Sequence, residues 1–184
     1  MLYKRCVWIA AILCLLTGPL TARQSGAARE YSIPGHGNLR LAVPDGWRVS
    51  TKSLSQPLSV LLRMSPPAGE AFDVQLTSVW LDSAALAKTS PDSIKSNVQR
   101  TASGLLPQAV EKTITMQELR GTQTAGYYFA LTDRNPAPGE YKYLMQGSFL
   151  TGELLSVFTI LSHAPRTPEV EQALETFRTA TYSK

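Results

Sequence analysis

The sequence predicts an α+β protein: an antiparallel β-sheet flanked by helices on both faces, an α/β/α sandwich with element order ββββ-α-ββββ-α. Three observations predict it. Short segments with period-two alternation are joined by hairpin-length links, which imply antiparallel pairing. Two stretches switch to helical spacing, each opened by a hydroxyl residue followed by proline. One late segment, Leu154 to Leu161, is apolar on both faces and reads as a central strand covered from both sides. The two helices are therefore expected on opposite faces of the sheet.

Length and composition fit this class. The chain has 184 residues, 43% hydrophobic and 17% charged, which supports one domain with a core of its own. Collagen-like, low-complexity and strongly charged disordered classes are excluded. The formal charge of +4 is mild and its lysines and arginines are scattered, so no nucleic-acid footprint is expected.

The first element is a targeting segment. Lys4 and Arg5 precede an apolar run of 11 residues, Cys6 to Leu16, which Thr17-Gly18-Pro19 ends. A basic start, a short apolar stretch and a small-residue exit make up a secretory signal peptide. A spanning helix needs roughly 20 apolar residues, so no stable membrane span is expected after cleavage. The signal is assigned to 1–22, ending at Ala22, with Gly26-Ala27-Ala28 as a second small-x-small site that would move cleavage to 28. Lipidation at Cys14 is not expected, because Leu13 is large and Cys14 lies inside the apolar run. Both cysteines leave with the signal, so a disulfide, a Cys-ligated zinc and a Cys nucleophile are all excluded. Cleavage after Ala22 lowers the charge from +4 to +2. The expected location is periplasmic or secreted.

Residues 23–30 carry no periodic pattern and read as a flexible lead-in to a single domain over 31–184. Tyr31-Ser32-Ile33 meets the turn Pro34 to Asn38, whose glycines tolerate left-handed backbone. Leu39, Leu41 and Val43 alternate with Arg40 and Ala42. Pro44-Asp45-Gly46 turns the chain into a strand at Trp47-Arg48-Val49. Leu58 to Met64 is the next strand. Phe72, Val74, Leu76 and Trp80 then alternate with Asp73, Gln75 and Thr77, the clearest period-two pattern in the chain. Trp47 and Trp80 are expected in the core.

Ser90-Pro91-Asp92 supplies an N-cap, a proline at the first helical position and an acid in the first turn. Ile94, Val98, Thr101 or Ala102, and Leu105 follow at helical spacing, which gives a helix over about 91–106 that Pro107 stops. Strands are expected at Val110 to Leu119, Thr122 to Arg134, Tyr141 to Leu150 and Leu154 to Leu161. Thr167-Pro168-Glu169 opens the last helix, with Val170, Leu174 and Phe177 as its buried stripe.

This order resembles the PsbP-like superfamily, which includes PsbP, Mog-type and DcrB-like proteins. The resemblance rests on LRLAVPDGWRV (39–49), the single helix after the first strands, GYYFALTDR (126–134) with its partner YKYLMQGSF (141–149), and LLSVFTILSH leading into the terminal helix. It covers 31–182 and implies a binding or assembly protein without a shared catalytic residue, so it supplies no functional residue to carry over.

The chemical motifs point the same way. His36 reads as a solvated turn residue and His163 as a polar strand end. Neither has the nearby partners that a metal site needs, so no metal and no cofactor are expected. No G-x-S-x-G elbow occurs. Gly121 and Gly126 have P-loop spacing, but Tyr127-Tyr128 stand where Lys and Ser/Thr are required. The strongest functional candidate is the loop Asp133 to Glu140 with its flank Tyr141, Lys142 and Tyr143. Two prolines stiffen it, and Arg134 with the tyrosines are side chains favoured at interfaces. The site expected to bind a partner or ligand is therefore Asp133, Arg134, Glu140, Tyr141, Lys142 and Tyr143. The function expected is an exported, non-catalytic binding or accessory protein of the bacterial envelope, its partner an envelope protein or a small ligand. The rival is a small envelope hydrolase using Asp133 or Glu140 with His163.

Overall fold

The computed structural model describes residues 26–55, 58–68 and 71–184, and the expected signal segment lies outside them. In chain order the strands are β1 (Ala28–Ser32), β2 (Asn38–Ala42), β3 (Arg48–Ser55), β4 (Leu58–Ser65) and β5 (Asp73–Trp80). Two helices follow, α1 (Ser83–Lys88) and α2 (Pro91–Leu105), the second ending in a 3-10 turn, Leu106–Gln108. Then come β6 (Gln117–Arg120), β7 (Thr124–Thr132), β8 (Tyr143–Thr151), β9 (Leu154–Ser162), α3 (Pro168–Arg178) and β10 (Thr181–Ser183).

Seven strands form one antiparallel sheet in the order β3-β4-β5-β9-β8-β7-β6, with the doubly apolar β9 in its middle. Alternation along β9 sorts its two faces. Leu154, Phe158 and Ile160 join Tyr128, Phe149 and the α3 stripe Val170, Leu174 and Phe177. Phe158 and Phe177 lie 4.6 Å apart by ring centroid, and Phe149 lies 5.7 Å from Phe177. On the opposite face Leu155 packs against a smaller cluster of Phe129 and Leu131 with Ile94, Val98 and Ala102 of α2. The helices thus cover opposite faces, as the α/β/α reading requires. Ser90 and Ser93 exchange side-chain and backbone hydrogen bonds at 2.9 and 3.1 Å to cap α2.

Four features differ from the sequence reading. A second, three-stranded sheet, in the order β1-β2-β10, packs Tyr31, Leu39 and Leu41 into the α3-side core. Residues 28–30, expected in the lead-in, pair with Arg40 to Ala42, and Thr181 to Ser183 pair along the other edge of β2. Both flanking strands are mostly polar, held by backbone pairing that leaves no hydrophobic pattern to read. Gly37, at φ +85, closes this sheet: a Cβ there would come within 2.2 Å of the Ser183 carbonyl oxygen. Helix α1 buries no side chain, so it has no apolar stripe, and the Asp82 carboxylate caps it by accepting from the Ala85 amide at 2.8 Å. Of the strand expected at 110–119, only Gln117–Arg120 pairs. Ile114 and Met116 instead pack beside α2 from irregular backbone.

The aromatics at the opposite end of β5 also depart from expectation. Trp47 is buried, but Trp80 is only partly so. His36 stacks on Trp80 with ring centroids 3.8 Å apart, where a solvated turn residue was expected. The Trp80 indole donates to Glu153 at 3.0 Å, and the Lys184 ammonium pairs with the same carboxylate at 2.6 Å. This cluster seals the junction between the two sheets.

Candidate functional site

The loop between β7 and β8 closes on itself. The Asp133 amide donates to the Lys142 carbonyl at 2.8 Å, and the Asp133 carboxylate accepts from the Asn135 amide at 2.9 Å. Glu140 repeats the device, accepting from the Ala137 amide at 3.0 Å, while Gly139 takes a left-handed φ of 85°. Arg134 turns back towards the core. Its guanidinium donates to the Ala109 carbonyl at 2.6 Å, and its amide donates to Gln108 at 3.1 Å. These three charged side chains therefore hold the loop and the 3-10 turn together. Lys142 is exposed, with its ammonium 5.6 Å from the Tyr143 ring centroid. Asp133, Lys142 and Tyr143 border a hollow of about 170 Å³ under Leu105.

Tyr141 borders this hollow as well and reaches beyond it. Its ring stacks on His163 at 5.3 Å and borders a larger cleft of about 450 Å³ at the near end of β3, β4 and β5. Arg48, Ser50, Arg63, Ser65 and Asp73 all lie on the sheet face that carries α2, beyond the part that α2 covers. Strand register brings them together: Arg48 opposes Ser65, and Ser50 opposes Arg63. Arg48 and Arg63 are thus diagonal cross-strand neighbours, roughly 7–8 Å apart at the backbone. Phe72, packed edge-on against Trp47 at 5.7 Å, gives the cleft an apolar wall.

Asp73 is the acid of this cleft. Its side chain is 5% exposed, and its two oxygens accept from Arg63 Nε at 2.6 Å and Gln75 Nε2 at 2.9 Å. A buried carboxylate must be paired to be tolerated, and here both oxygens have partners. The hydrogen bond and charge of Asp73 in turn hold the Arg63 guanidinium above its ordinary pKa. Because Asp73 takes only Nε, the Arg63 Nη donors remain unused by it, and the side chain, which lines the cleft, is 65% exposed. Arg48 has no ion-pair partner among the described residues.

Of the six residues expected from sequence, Asp133, Tyr141, Lys142 and Tyr143 meet around the smaller hollow, and only Tyr141 also reaches the 450 Å³ cleft. Arg48, Arg63 and Asp73 were missed. A lone arginine in the apolar strand LSVLLRM was the one available signal, but its partner depends on register. Among the described residues no hydrogen bond or ion pair joins His163 to Asp133 or Glu140, and no three His, Asp or Glu side chains converge as metal ligands.

The chain is thus an α+β protein with a seven-stranded antiparallel sheet, helices on opposite faces of it, and a second, three-stranded sheet. Among solved structures, the chain is similar to the solution structure of cyanobacterial PsbP (CyanoP) from Synechocystis sp. PCC 6803, at 11% identity and a TM-score of 0.51 over 91% of this chain and 99% of that one. The chain thus has the PsbP-like fold that its sequence resemblance implied. No protein-family profile and no curated protein matches it in sequence.

Proposed function

We propose that the protein is an exported, non-catalytic binding or accessory protein of the bacterial envelope, taking an envelope protein or a small ligand as its partner. One observation carries the binding reading. The 450 Å³ cleft presents recognition side chains, Arg48, Arg63 and Tyr141, while its one carboxylate among the described residues, Asp73, is already held by Arg63 and Gln75. Catalysis would need an acid or base free to exchange protons with a substrate, and this cleft offers groups suited to holding one instead. The basic start and apolar run at Lys4 to Leu16 support export to the periplasm or medium. No helix among the described residues is long and apolar enough to cross a membrane.

A broad panel of ester, phosphoester, glycoside and peptide substrates tests the non-catalytic part. Purified protein is expected to turn over none of them. Turnover that disappears in His163→Ala, with the circular dichroism spectrum unchanged, would establish the hydrolase alternative. Osmotic-shock fractionation tests export, with a shortened chain expected in the shock fluid or the medium.

A further inference from the structure

The geometry points to a particular ligand chemistry for this cleft: a small organic molecule carrying an oxyanion, carboxylate or phosphate, on an apolar or aromatic body. The proposal rests on the binding reading above and specifies what is bound.

Charge is the first argument. Among the described residues two guanidiniums line the cleft against one carboxylate, and that carboxylate is buried and held by Arg63 and Gln75. The exposed Lys52, two residues beyond Ser50 on the same face of β3, adds a further cation at the rim. An incoming anion therefore meets a net positive field.

Preorganisation is the second. A guanidinium offers five N–H donors in a rigid fork that matches carboxylate and phosphate oxygens. Asp73 fixes Arg63 through Nε alone, which orients the remaining donors before any ligand arrives and lowers the ordering cost of binding. Arg48, one diagonal step away, has no ion-pair partner among the described residues, so an oxyanion between the two satisfies both. The Ser50 and Ser65 hydroxyls lie on the same face as neutral donors.

Shape is the third. The Phe72 wall and the Tyr141 ring, itself stacked on His163, offer flat apolar surface beside the cationic end. A volume of about 450 Å³ holds far more than a bare ion and falls in the range of organic-ligand sites. The anion is placed at Arg48 and Arg63, and its carrier against Phe72 and Tyr141.

The test is a titration of isotope-labelled protein, followed by the amide and arginine side-chain signals, with phenylphosphate, benzoate, inorganic phosphate and neutral benzamide. Phenylphosphate or benzoate is expected to bind saturably, shifting Arg48, Arg63 and Tyr141, with benzamide at least about tenfold weaker. The tighter of the two anions tells a phosphoryl ligand from a carboxylate one. Arg48→Gln is expected to weaken binding about tenfold, as is raising the salt from about 0.05 M to about 0.5 M. Arg63→Gln alone would strand the buried Asp73, so the double variant Arg63→Gln/Asp73→Asn serves instead, with the same loss expected. Benzamide binding as tightly as benzoate, inorganic phosphate binding as tightly as phenylphosphate, or unchanged affinity in Arg48→Gln and the double variant would each overturn the proposal. Absence of saturable binding by every probe overturns it too, yet leaves the binding reading intact, since only His163-dependent turnover removes that.

Discussion

Val157 and Phe158 are neighbours in β9 and look out on two different environments. Phe158 is fully buried between Phe149 and Phe177, on the face sealed by α3 and the small sheet. Val157 is 44% exposed on the face that α2 covers mainly over β7 and β8. One face is closed by aromatic burial. The other is half open and is fastened at its margin by polar contacts from the segment after α2, namely Arg134 to Ala109 and Glu111 to Thr132. The division teaches where stability and recognition reside: the sealed face holds the fold, while the open face carries Arg48, Arg63 and the cleft.

The largest effect tests that division directly. Phe158→Ala removes a ring from the tightest aromatic contact in the core and is expected to cost about 3–5 kcal/mol. Val157→Ala, one residue away, is expected to stay within about 0.5 kcal/mol. Urea denaturation of the pair measures both. A comparable loss from Val157→Ala would mean that the open face is covered, and the comparison would fail.

The clamp at the margin gives a smaller effect. Arg134→Ala removes the guanidinium that donates to the Ala109 carbonyl at 2.6 Å. A charge-assisted hydrogen bond is worth about 1.5–3 kcal/mol, but Arg134 is exposed, and solvent reduces this to about 1 kcal/mol. Hydrogen exchange is expected to show faster opening of α2 and the 3-10 turn, with α3 unchanged. Equal acceleration in both helices would show that the two faces open together.

What the sequence made legible follows the same division. Val74 and Leu76 in β5 with Phe72 just before it, the Ser90-Pro91-Asp92 start of α2 and the Val170-Leu174-Phe177 stripe of α3 could all be read, because burial leaves a period. Contacts set by register could not. Asp73 occupies a position in β5 that alternation assigns to solvent, yet it is 4% exposed because β4 brings Arg63 beside it. Chain adjacency grouped Tyr141 with Asp133, Lys142 and Tyr143, which it does meet around the smaller hollow, but it could not show that the ring also stacks on His163 and borders the cleft of Arg48 and Arg63. β10 pairs only three residues and has no core stripe of its own, so nothing in its sequence announces it.

The smallest effect sharpens the comparison by pH. Burial alone would push the Glu111 carboxyl up, but hydrogen bonds from the Thr132 amide at 2.8 Å and hydroxyl at 2.7 Å, together with its own amide, outweigh that and hold it below the usual value of 4.5. A carboxyl whose pKa is lower folded than unfolded binds protons more readily in the unfolded chain, so its contribution is fully present above about pH 4.5 and is lost as pH falls through the folded value. The accepted bonds are worth about 1 kcal/mol at most, given the partial exposure of Glu111. Because Glu111 ties the segment after α2 to the end of β7, acid should loosen the half-open face first. Amide protection in α2 is expected to fall between about pH 5 and pH 3 while α3 keeps its protection, and Glu111→Gln is expected to flatten that fall. An acid response of equal size in Glu111→Gln would assign it to another carboxyl. Loss of α3 protection first would place the weaker fastening on the aromatic face and reverse the comparison.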